Sequence, residues 1–104
     1  MKNIIDYLTI KSTINELTKT ENVALVDKLL DILNNNKIAK PEKHNKKEDI
    51  ETNHYKIDLS KNQLNDIIDL LMDLEVESLT IDGESTPLTS HFSSLIDKWS
   101  TIKV

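Results

Sequence analysis

The sequence predicts a mainly α, α+β chain: an N-terminal helical hairpin over residues 1–36, a charged flexible linker over 37–53 and an acidic β-α-β-α module with two short strands over 54–104. Two patterns carry that expectation. Four segments place apolar residues at intervals of three, four and three, the spacing that gathers side chains on one face of a helix. Two short runs instead alternate apolar and polar residues, the period of a half-buried strand.

The first helix is expected from Asn3 to about Thr18, where Tyr7, Ile10, Ile14 and Leu17 form the first 3-4-3 series and Ile4 and Leu8 broaden the face. The β-branched run Leu8–Ile14 is the competing strand reading, and Thr13 with Glu16 has capping-box spacing that would start a shorter helix. The second helix follows Thr20, with Glu21 as an acid in its first turn and Val23, Val26, Leu30 and Leu33 as its apolar series, Leu29 alongside. It is expected to end in Asn34-Asn35-Asn36, since Asn tolerates the left-handed cap conformation.

Residues 37–53 hold one proline, many charges and two isolated isoleucines, too little apolar surface to offset the entropy of ordering. Beyond them, Tyr55, Ile57 and Leu59 alternate with Lys56 and Asp58 as a short strand. Ser60 and Gln63 have capping-box spacing, and Leu64, Ile67, Leu71 and Leu74 give the third series. Glu77 to Asp82 alternates again and meets Asp82-Gly83, so a second strand and a turn are expected, the two strands lying parallel around the helix. Thr86-Pro87 suits a helix entry, and Phe92, Leu95, Trp99 and Ile102 complete the fourth series.

Composition narrows function. At 104 residues the chain has room for a modest core; 38% of it is apolar, below the globular average of roughly 45–50%, and 30% is charged, which favours a partner surface or self-association. With no cysteine, disulfides, thiolate catalysis and Cys-based metal sites are excluded. Asn3, Asp6 and Thr9 interrupt the first ten residues, so no signal peptide is read and a cytoplasmic location is expected. All 13 basic residues are lysine, whereas bidentate reading of phosphate or guanine is an arginine task, so direct nucleic-acid binding is not expected.

Candidate chemistry is sparse. Asp73, Glu75, Glu77 and Glu84 occupy positions 1, 3, 5 and 12 of a calcium loop, but Ser78 stands where the loop needs glycine. His44, His54 and His91 lack metal-ligand spacing, and with Gly83 alone neither a phosphate loop nor a Gly-x-Ser-x-Gly elbow exists. No enzyme, cofactor or metal is therefore predicted. The lysines at 40, 43, 46 and 47 are diluted by Glu42, Glu48 and Asp49.

Charge is divided along the chain. Residues 1–49 carry nine lysines and eight acids, net +1; residues 50–104 carry four lysines and ten acids, net −6. Asp66, Asp69, Asp73, Glu75, Glu77, Asp82 and Glu84 fall in 19 residues with no base between them. These seven are the expected partner-binding residues, facing a protein with a basic surface such as one built to hold nucleic acid. Tyr7, Ile10, Ile14, Leu17, Val23, Val26, Leu30 and Leu33 are the expected dimerisation residues, because a 34-residue hairpin buries little alone.

The function expected is a non-enzymatic protein-binding regulator or inhibitor, phage or mobile-element encoded, acting on a nucleic-acid-handling host protein; an anti-CRISPR-type inhibitor of a Cas nuclease is one example. The alternatives are a dimeric transcription regulator or antitoxin, and a small structural, assembly or immunity-type helical protein.

Overall fold

A computed structural model describes residues 3–38 and 53–103. Among them are four helices and two three-residue strands, in the order β1 (Ile4–Asp6), α1 (Tyr7–Lys19), α2 (Val23–Asn35), β2 (His54–Lys56), α3 (Lys61–Glu77) and α4 (Pro87–Trp99). The mainly helical expectation holds. No described helix is long and apolar enough to cross a membrane.

The chain divides into two units, Met1–Asp58 and Leu59–Val104. In the first, β1 and β2 pair antiparallel, with Ile4 opposite Lys56, Ile5 opposite Tyr55 and Asp6 opposite His54. The strand expected near Tyr55 is present, but its partner is the N-terminal segment that the pattern assigned to a helix. Asp6 explains the difference. Its extended backbone ends β1, and its carboxylate caps α1 by accepting from the Thr9 amide at 3.2 Å and the Thr9 hydroxyl at 2.7 Å.

The competing strand reading of Leu8–Ile14 fails because the threonines are satisfied inside a helix: Thr13, fully buried, donates its hydroxyl to the Thr9 carbonyl at 2.8 Å. Three residues reverse the chain after α1. Glu21 takes a left-handed backbone (φ 60°), and Asn22 rather than Thr20 caps α2, so that helix begins at Val23. α1 packs on α2 through Ile10, Ile14 and Leu17 from one helix and Leu25, Leu29 and Ile32 from the other, all buried.

After α2 the chain stays beside β2. Lys56 N–H donates to the Asn36 carbonyl at 3.1 Å and Ile38 N–H to the His54 carbonyl at 2.9 Å, with Lys37 bridged to Tyr55. β2 is thus bonded on both edges. Of the expected linker, Lys37, Ile38 and Asn53 are held in this way or buried, while residues 39–52, including the lysines at 40, 43, 46 and 47 and the histidine at 44, lie outside the described residues.

In the second unit, the Ser60–Gln63 capping box is complete, at 3.1 and 2.9 Å. α3 packs on α4 through Leu64, Ile67 and Leu71 against a helix that buries Phe92, Leu95 and Trp99. Thr86 caps α4, with Pro87 in its first turn. The predicted second strand and parallel β-α-β arrangement are absent. α3 runs on to Glu77, Ser78 caps it, and Thr80 to Glu84 closes a turn in which Gly83 (φ 80°) donates to the Thr80 carbonyl at 2.8 Å. The alternation of Glu77–Asp82 misled because its apolar member Ile81 is fully exposed rather than inward-facing.

Candidate functional site

Ser60 sets where α3 begins, and the buried series Leu64, Ile67 and Leu71 fixes which way it faces. At about 100° per residue, Asp66, Asp69, Asp73 and Glu77 then fall on the opposite side. All four are exposed. Their spacings of three, four and four make each the neighbour of the next along the helix, and no lysine of α3 follows Lys61 to separate them.

The other three predicted acids go elsewhere. Glu75 lies half-buried toward α4, where its carboxylate accepts from the Ser93 hydroxyl. Asp82 and Glu84 are exposed in the turn after α3, and Glu84 N–H is used by the Thr80 hydroxyl oxygen at 3.0 Å. Asp73, Glu75 and Glu77, the first three ligands of the calcium-loop spacing, are helical and split between two faces, which a coordinating loop does not allow. Among the described residues there is no group of three or more His, Asp or Glu placed to hold a metal ion.

Sequence reasoning missed the apolar border of this face. Met72 and Val76 are 49% and 66% exposed, and helical geometry sets them next to Asp69 and Asp73. The signal was available: both lie four residues apart and outside the Leu64–Leu74 series. The α3 face is consequently a strip of carboxylates edged by two large apolar side chains. Behind it, Ser78, Thr86 and Thr89 tie the end of α3 to the start of α4, the Thr86 hydroxyl donating to the Ser78 carbonyl at 2.9 Å.

No protein family, curated protein or solved structure matches this chain. Its surfaces must be read from their own chemistry.

The predicted dimerisation residues divide into two groups. Ile10, Ile14 and Leu17 are buried within their own unit and are not offered to a second chain, while Tyr7 is half-buried at 6.4 Å between ring centres from Tyr55. The α2 series turns outward: Val23 is 64% and Leu30 39% exposed, with Val26 and Leu33 half-buried between them. The core face of α2 is instead Leu25, Leu29 and Ile32. Both sets satisfy helical spacing, so periodicity alone had no means to choose between them.

Proposed function

We propose that the chain is a non-catalytic regulator or inhibitor that binds a basic surface of another protein through the exposed face of α3. The observation that carries this reading is the uninterrupted ladder Asp66, Asp69, Asp73 and Glu77 with Met72 and Val76 exposed at its edge. Each adjacent like-charge pair on a helix destabilises it by about 0.2–0.5 kcal/mol, so three pairs cost the free protein on the order of 1 kcal/mol. Exposed apolar groups beside charges are what a docking surface needs: carboxylates steer and orient a basic partner, and desolvated Met and Val side chains supply affinity.

A protein built to hold nucleic acid presents such a basic groove, and a carboxylate ladder on a helix competes for it as a phosphate backbone does. A Cas nuclease is one target of this kind. The same electrostatics oppose a DNA-binding regulator, because the negative face would repel the duplex.

Paired capture from bacterial host extract tests the proposal, using wild-type protein and the variant Asp66→Asn/Asp69→Asn/Asp73→Asn. Wild type is expected to retain a basic nucleic-acid-binding protein that added DNA displaces and high salt weakens, and the triple variant to lose at least tenfold in affinity for it. Retention unchanged in the triple variant would remove the acidic face from the mechanism.

A further inference from the structure

Gly83 is the only glycine in the chain, and Asp82 precedes it. An aspartyl side chain can close on the backbone nitrogen of the next residue; a side chain on that residue crowds the approach, and glycine has none. Every other Asp and Asn of the sequence is followed by a residue that carries a side chain. Asp82 and Gly83 are both exposed, and a Cβ added at Gly83 would meet nothing within 4 Å, so water and the closing ring have room.

The turn around this pair opposes the reaction. Gly83 N–H donates to the Thr80 carbonyl at 2.8 Å, Thr80 N–H to the Glu84 carbonyl at 2.9 Å, and Glu84 N–H to the Thr80 hydroxyl at 3.0 Å. Thr80 takes part in all three. An imide nitrogen carries no hydrogen to donate, so ring closure must first release the Gly83 amide from Thr80.

We propose that Asp82 is a site of spontaneous isoaspartate formation whose rate is set by the Thr80 latch. The Gly83 nitrogen bonds to Asp82 Cγ, and the nitrogen's proton and the carboxyl hydroxyl leave together as water, giving a cyclic imide. Water then adds back at one of the two imide carbonyls. Breaking the N–Cγ bond restores aspartate; breaking the bond from nitrogen to the Asp82 backbone carbonyl carbon routes the main chain through Cγ and leaves the α-carboxylate as the side group. Water is the sole co-reactant, and mass and charge are unchanged. The product has one more main-chain atom between residues 82 and 83, so the Thr80 turn no longer closes on the same ring of atoms and the link between α3 and α4 is lengthened.

Because the turn must open first, the rate follows the fraction of molecules in which it is open. Full-length protein held at neutral pH and physiological temperature is expected to accumulate isoaspartate at residue 82. Methyl transfer by an isoaspartate-specific methyltransferase reads the amount, and resistance of the Ile81–Asp82 bond to an aspartate-specific endoprotease gives the position. Thr80→Val keeps the side-chain shape and removes the hydroxyl bond to Glu84, so it is expected to react about two- to tenfold faster with unchanged helicity. Wild type unfolded in guanidinium is expected to react faster than the native protein, and Asp82→Glu, which keeps the charge, to form no isoaspartate there. Native protein free of isoaspartate at 82 while the unfolded chain forms it, a Thr80→Val rate equal to wild type, or an unfolded chain no faster than the native one would overturn the proposal.

Discussion

Among the described residues, α2 and α3 each leave one helix face exposed, and the two faces differ in chemistry. On α2 the uncovered strip is aliphatic and short, edged by Asp27 and Asn34. On α3 it is a ladder of carboxylates edged by Met72 and Val76. The aliphatic strip gains by being covered and loses little when it is not; the acidic ladder costs stability until an opposite charge arrives.

That contrast breaks first at the inner face of α2. Leu29 is completely buried, so Leu29→Ala is expected to lower unfolding free energy by about 2–5 kcal/mol, whereas Leu30→Ala, one residue on, is expected to cost less than about 1 kcal/mol. Urea unfolding of both variants measures the difference, and equal losses would mean that the outward orientation of Leu30 is wrong.

The caps give a smaller effect. α3 starts with a reciprocal box, while Asn22 caps α2 through a single bond of 3.4 Å to the Leu25 amide. Ser60→Ala is expected to cost about 1 kcal/mol and Asn22→Ala distinctly less, read from paired denaturation curves. Smallest, and opposite in sign, is the charge ladder. Asp69 has like neighbours at Asp66 and Asp73, so Asp69→Asn is expected to stabilise the free protein by roughly 0.5 kcal/mol at low salt, fading as salt is raised. A loss of stability at low salt would show that the carboxylate is held by a favourable contact.

Much of the helical architecture was legible because the buried apolar rows on α1, α3 and α4 recur at helical intervals and are the rows the 3-4-3 series named. The α3 start was legible to the residue, since Ser60 and Gln63 name both ends of a reciprocal pair of hydrogen bonds. α2 was not oriented correctly because it carries two apolar rows, and the choice between them is made by packing against α1. β1 was hidden for a related reason: Ile4 and Ile5 extend the helical series of α1, and only the pairing with residues fifty positions away makes them a strand. The missing strand after α3 shows the limit of alternation over six residues, where a turn held by Thr80 and Gly83 fits as well as a strand. At the α3 face, the seven acids were counted together by proximity in sequence; the helical angle keeps Asp66, Asp69, Asp73 and Glu77 on the exposed side and assigns Glu75 to the seam with α4.

The pairing of Ile5 with Tyr55 also bears on how the chain folds. α3 and α4 are joined by nine residues, 78–86, and meet through short-range contacts, which form fast. The sheet of the first unit requires closing a loop of 50 positions, and the strand that completes it is among the last parts of that unit to leave a ribosome. Until it arrives, the β1 edge has no partner strand. During synthesis the N-terminal unit therefore waits on residues 54–56 while its helices are already available to pair, and a chain truncated before Tyr55 should show helical signal without cooperative unfolding of that unit.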